Sequence, residues 1–224
     1  MHIHTSDQPA LHLGFGNYTC NWGVHAAALY EKTSDRDEIL FGFLAQGLRD
    51  SDCILYGCHD RTPEEFSRTF LSRFPDLAHA FSDASRVSIR QAKEAYCQTG
   101  TFSSDDIMAT LECYYRGCGQ EGGGRAVRAS GEMNWASDDI PGIEQLMTYE
   151  ARLTEFIAGK PWVSICLYDI TQFSGATIMN VLRTHPFIVS NGVVVENPYF
   201  MEPRTWLARY GVTAADQTNA SGDR

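Results

Sequence analysis

The chain has 224 residues, a formal charge of −10 at neutral pH and a pI near 5.1, a balance that repels polyanions and argues against direct nucleic-acid binding. Hydrophobic residues make up 43% and charged residues 21%, the usage of an ordinary globular domain rather than a fibrous or disordered chain. No apolar run approaches the roughly 20 residues that span a bilayer, and Met1-His-Ile-His-Thr-Ser-Asp7 lacks the basic-then-apolar order of a signal peptide, so a cytoplasmic location with no membrane partner is expected.

In chain order, residues 1–18 show no periodicity and read as a mobile N-terminal segment, ahead of one domain over 19–213. Val24 to Tyr30 has the length and apolarity of a strand. Ile39, Leu40, Phe43, Leu44 and Leu48 then recur at helical spacing, which predicts strand, loop and helix in succession. Cys53-Ile-Leu-Tyr-Gly57 predicts a second strand, and Thr62-Pro63-Glu64-Glu65 carries the N-cap, first-turn proline and capping-box glutamate of a helix running to about Arg73.

Arg86 to Arg90 reads as a strand, Ser103 caps a helix containing Ile107 and Leu111, and Ala126 to Ser130 reads as another strand. Ile143, Leu146, Met147, Leu153, Phe156 and Ile157 form one apolar helical face, stopped by Gly159. Trp162 to Tyr168 is the most strand-like run, and Ser174 opens a last helix. Asn191-Gly192, between Phe187–Ser190 and Val193–Val195, signals a type I′ hairpin because both turn residues need positive φ. Residues 214–224 read as a disordered polar tail. This alternation predicts an α/β fold with a mostly parallel sheet, helices on both faces and a C-terminal antiparallel hairpin.

In such sheets ligands sit beyond the carboxyl ends of the strands. That rule selects Tyr30 and Glu31 after the first strand, His59, Asp60 and Arg61 beside Cys58 after the second, Glu132 and Trp135 after a later one, and Asp169 after the next. His25, at the start of the first strand, joins them as a ligand-binding candidate that can face the opposite rim. Each also has a structural reading: Glu132 as a cap, Asp169 as a loop or N-cap residue, His25 and His59 as satisfied core histidines. His185-Pro186 reads as a helix terminator and Asn197-Pro198-Tyr199 as a turn.

No catalytic residue, cofactor or metal ligand set is assigned. Seven scattered cysteines indicate reduced thiols, and neither Cys53/Cys58 nor Cys113/Cys118 has zinc-finger spacing. The connection Glu31-Lys-Thr-Ser-Asp-Arg-Asp-Glu38 is acidic and has no glycine, unlike a phosphate-binding loop that cradles phosphates in backbone amides and neutralises them with lysine.

The chain resembles the MEDS domain family over about Trp22 to Tyr210. The resemblance is carried by His25 with Ala-Leu-Tyr30-Glu31, Phe43-Leu-Ala-Gln-Gly47-Leu48, Asp60 to Glu65, Ser130-Gly-Glu-Met133 with Trp135, Tyr149-Glu-Ala-Arg-Leu153, Cys166-Leu-Tyr-Asp169, Leu182 to Pro186 and Glu196-Asn-Pro-Tyr199. It implies a RecA/KaiC-like core without a Walker A loop, acting as a sensory module in signal transduction and transcription regulation. The expected partner is a small-molecule effector or a regulatory protein, with homo-oligomerisation a further expectation. Many relatives place a cysteine two residues after the histidine, where this chain has Ala27. Two alternatives stand beside the non-catalytic sensor: a divergent ATP-binding protein using Glu31, Glu132 and Asp169 around Mg²⁺, and a thiol or metal sensor built on Cys58 and His59.

Overall fold

The computed structural model describes residues 11–120 and 124–212. Two short strands, β1 (Leu11–His12) and β2 (Thr19–Cys20), pair antiparallel ahead of β3 (Val24–Tyr30) and α1 (Thr33–Arg49). There follow β4 (Cys53–Cys58), α2 (Pro63–Arg73), the single turn α3 (Ala78–Phe81), β5 (Val87–Gln91), α4 (Ala92–Tyr96) and α5 (Ser104–Tyr115). The chain continues through β6 (Val127–Glu132), α6 (Leu146–Ile157), β7 (Trp162–Asp169), α7 (Gly175–Thr184), β8 (Phe187–Ser190), β9 (Val193–Glu196) and α8 (Pro203–Tyr210).

Seven strands make one sheet in the order β5-β4-β6-β7-β3-β8-β9, all parallel except β9. β3 lies between β7 and β8, with β6 and β4 beyond β7, which is the RecA-type order. Every residue of β6 and β7 is buried, as expected of central strands covered on both faces. One face packs Phe41, Phe43, Phe66 and Phe70 of α1 and α2 against Ala26, Ala28, Ile54, Tyr56, Val163 and Ile165. The other packs Ile107, Leu111, Tyr149, Leu153 and Val181 of α5, α6 and α7 against Ala27, Ala129, Cys166 and Tyr168.

The local signals act as read. Thr62 and Glu65 form the reciprocal capping box, and Asn191 (φ 49°) and Gly192 (φ 70°) make the left-handed turn between β8 and β9. Three expectations shift. The first loop is only Glu31-Lys32, because α1 begins at Thr33; its first turns carry charge on the side facing the crevice, so apolar periodicity starts late. The fold also begins before residue 19: Leu13 and Phe15 are buried, and Gly14 and Gly42 approach so closely that a Cβ on Gly14 would stand 2.1 Å from the Gly42 carbonyl oxygen. Helices α4 and α8 were not legible, being too short to show a period. The polar-tail expectation for 214–224, and residues 1–10 of the N-terminal one, fall outside the described residues.

Candidate functional site

The structure divides the candidate residues among three environments. At the carboxyl ends of β3, β4 and β6, Glu132 is fully buried. It accepts hydrogen bonds from the Tyr56 hydroxyl (2.5 Å) and from the amides of His59 (2.6 Å) and Asp60 (2.8 Å). Arg36, 2% exposed, reaches in from the first turn of α1 to pair with Glu132 at 3.3 Å and with Asp60 and Asp37; Arg61 in turn pairs with Asp37. Tyr30 hydrogen-bonds Asn134, and Asp169 accepts from the amide and hydroxyl of Thr171 and the amide group of Gln172.

This is a network whose charges satisfy one another. An arginine and its carboxylates hold together the start of α1 and the carboxyl ends of β4 and β6. No residue from Glu31 to Arg36 has positive φ, so the alternating backbone that builds an anion nest is absent there. Glu31 is exposed, and the His59 backbone rather than its ring is what binds Glu132 and Gln91. Cys58 is buried, donates to the Arg90 carbonyl, and is pushed up to about 12 by burial. Trp135 is fully buried, stacked on Tyr96 at 4.8 Å.

His25 belongs to a second environment. It is not at a rim; it lies in β3 with its ring in the core between α6 and α7, and Glu150, Cys166 and His185 surround it, each with a side chain buried to 3% exposure or less. His25 Nε2 stands 3.4 Å from Cys166 Sγ and 3.3 Å from Glu150 Oε2, and His185 Nε2 stands 3.6 Å from the same Oε2. Cys166 is the strand partner of Ala27 across β3 and β7. The thiol that position 27 lacks therefore reaches the imidazole from the neighbouring strand.

The tautomers follow from the carbonyls. His185 Nδ1 faces the Val181 carbonyl at 2.8 Å, which can only accept. Thr154 gives its one hydroxyl proton to the Thr184 carbonyl (2.8 Å), so His25 Nδ1 must donate to Thr154 (2.7 Å). Both histidines thus turn a bare Nε2 toward Cys166 and Glu150. The spacing resembles an ion pair, but burial decides against charge. Burial holds both imidazoles down to about 3 and pushes the Glu150 carboxyl up, with the two histidines also disfavouring each other's charge at His185.

A pH prediction follows. Each histidine protonates near 6.5 in the unfolded chain but near 3 when folded, so the unfolded state binds more protons between those values and stability falls as pH drops from about 6.5 toward 3. Glu150, whose carboxyl burial pushes up, works in the opposite direction. Denaturant titrations in chelating buffer should show stability falling steadily between about pH 6 and 4.5, because two histidines outweigh one carboxyl. His25→Asn should flatten that slope; an unchanged slope would contradict the assignment.

The third environment is a cavity of about 420 Å³ between the sheet and helices α4, α5 and α6. Its outer wall includes the exposed Arg90, Gln98 and Thr110, and its inner end is closed by the buried Tyr149, Ser164 and Cys166. Leu55, Ile107, Leu111 and Ala129 make its sides apolar. Tyr96 stands over its floor, where a Cβ on Gly131 would come 2.4 Å from the tyrosine hydroxyl. Sequence reasoning missed this site because it lies on a face of the sheet rather than at the strand ends. Two signals pointed instead to the neighbouring His25 cluster: Glu150 repeats the apolar spacing of Leu146, Leu153 and Ile157, and Cys166, which also lines the cavity, faces the same way as Ser164 and Tyr168.

Comparison with known proteins agrees with this architecture. The model of the MEDS family, the MEthanogen/methylotroph, DcmR Sensory domain, matches residues 24–186. The transcriptional repressor DcmR of Methylorubrum extorquens is 20% identical over 162 residues, which are 72% of this chain and 57% of that protein, so the chain corresponds to little more than half of the repressor. Among solved structures, an uncharacterized protein of Pyrococcus horikoshii, determined with an unknown peptide, superposes with a TM-score of 0.53 at 15% identity over 76% of this chain and 78% of that one. A KaiC-like protein of the same archaeon aligns with a TM-score of 0.49 at 8% identity, over 75% and 71% of the two chains. No helix among the described residues is long and apolar enough to cross a membrane. With the family model covering the sheet from its first long strand to the end of its last crossover, the chain belongs to the MEDS family of sensory domains.

Proposed function

We propose that this chain is a non-catalytic sensory module whose effector is a compact, mainly apolar molecule bound in the cavity between the sheet and α4, α5 and α6. The observation that carries this reading is the cavity itself. About 420 Å³ falls within the range of small-molecule sites, its walls are aliphatic and aromatic, and a few polar groups, Ser130, Ser164 and Tyr149, sit toward the buried end. Membership in a sensory family and likeness to a transcriptional repressor support a regulatory role. The self-satisfied charges at the carboxyl ends of the strands weigh against a nucleotide. Signal then passes by differential affinity for two states of the module, with α5 the element best placed to report occupancy because it forms one wall and is half exposed.

The test is a thermal-shift panel of small alcohols, ketones, haloalkanes and monocyclic aromatics, with Mg-ATP in parallel. At least one apolar class should raise Tm by RT ln(1 + [L]/Kd), about 2.7 kcal/mol of stabilisation at a hundredfold excess over Kd. Leu111→Trp, which fills the cavity, should remove that response. A panel in which only Mg-ATP raised Tm would reject the reading in favour of a surviving nucleotide site.

A further inference from the structure

We propose that His25, Glu150, Cys166 and His185 form a buried tetrahedral site for a divalent transition metal, with zinc the best fit. This goes beyond the effector reading and stands without it.

Four independent features converge. The four ligand atoms all lie within 4.8 Å of one another. Around zinc, with bonds of about 2.0–2.3 Å, tetrahedral neighbours stand roughly 3.3–3.8 Å apart. Four of the six edges are 3.3 Å (His25 to Glu150), 3.4 Å (His25 to Cys166), 3.6 Å (His185 to Glu150) and 3.6 Å (Cys166 to Glu150), and the two from His185 to His25 and Cys166 stay within 4.8 Å. A small inward movement of side chains seats an ion at the centre.

The outer hydrogen bonds have the polarity a metal requires. Val181 and Thr154 hold the Nδ1 protons of the two histidines, which leaves each Nε2 lone pair aimed inward. Tyr168 donates to Glu150 Oε1 at 2.5 Å, leaving Oε2 for the ion. Asn197 donates to the His185 carbonyl and fixes that residue where α7 ends. His185 Nε2 is fully buried and has no hydrogen-bond partner, the kind of orphan that native interiors avoid unless something fills the space.

Charge closes the argument. A thiolate and a carboxylate with two neutral imidazoles balance a dication, so the occupied site is electrically neutral where a lone buried ion would be costly. Cys166 gives up its thiol proton on binding, and Glu150 binds as its carboxylate. Soft sulfur with two imidazoles suits zinc and disfavours magnesium or calcium. Cys166 also lines the cavity, which supplies the ion's access route.

The test uses the full chain, reduced and purified without a histidine tag. Elemental analysis should find about one zinc per chain, removed by chelator and restored by ZnCl₂ with a rise in Tm. Zinc X-ray absorption on the wild-type chain should give one sulfur and three nitrogen or oxygen neighbours, and cobalt substitution should give tetrahedral d–d bands with a thiolate charge-transfer band that Cys166→Ser loses. Thr154→Val, which frees the His25 ring, should weaken zinc on the order of 10–100-fold. Absence of stoichiometric zinc or cobalt uptake, an octahedral cobalt spectrum, or wild-type affinity in both Cys166→Ser and His185→Asn would overturn the site. Leu111→Trp should keep its zinc while losing its response to apolar compounds, so failure of one reading is separable from failure of the other.

Discussion

Glu132→Ala should lower stability by about 3–5 kcal/mol, seen as a fall in Tm of roughly 6–20 °C by calorimetry, with little effect on binding in the cavity. The side chain is fully buried, and its loss strands the Tyr56 hydroxyl, the amides of His59 and Asp60, and part of the Arg36 charge in one step. Buried donors left without acceptors cost their full desolvation. Arg36 keeps Asp37 and Asp60, both partly solvated, so the protein should still fold. Glu132→Gln, which preserves shape and one set of acceptors, should cost less. If Glu132 instead served as an effector ligand, the alanine variant would keep its Tm within about 2 °C and lose effector affinity.

Arg128→Met should cost a similar amount, about 3–5 kcal/mol at neutral pH. Arg128 is 1% exposed and ties together three parts of the chain. It donates to Asp52 at 2.6 Å and Asp50 at 2.9 Å beyond the end of α1, and to the His12 carbonyl of β1 at 2.8 Å. Gly47 makes room for it, since a Cβ there would stand 2.5 Å from Arg128 Cδ. Burial already pushes the Asp52 carboxyl up, and Arg128 is the main group opposing that shift. Without the arginine the folded-state pKa rises further above its unfolded value. Such a group adds stability as pH falls, so the variant's deficit should be largest near pH 7 and shrink toward about pH 4. A deficit that is constant with pH would contradict a buried, unpaired Asp52.

These two residues mark how far the sequence could be read. The strands were legible because central parallel strands are apolar throughout, and the hairpin because Asn191-Gly192 has a specific backbone requirement. The missing phosphate loop was legible as composition alone, yet the buried role of Arg36 beside it was not, since nothing local separates an inward-facing arginine from a solvated one. The crevice rule gathered Tyr30, Asp60, Arg61, Glu132 and Asp169 near the strand ends but could not show that Asp60, Arg61 and Glu132 are linked there through Arg36 and Asp37. The His25 cluster was hidden for another reason. Its members come from β3, α6, β7 and the end of α7, and each has an adequate local explanation: His185 does terminate its helix, and Glu150 sits in a helical face. Only the register of β3 against β7, which sets Cys166 opposite Ala27, brings them together. One local conflict was visible, a glutamate at apolar helical spacing, and such conflicts are where function concentrates.

The division of labour between a closed crevice and an open face is tested most directly by a crystal structure of the chain with the compound that raises Tm most. Density for that compound is expected against Tyr96, Leu111 and Ala129, ending at Cys166. Density beside Glu31 and the first turn of α1, with Arg36 swung away from Glu132, would contradict the account.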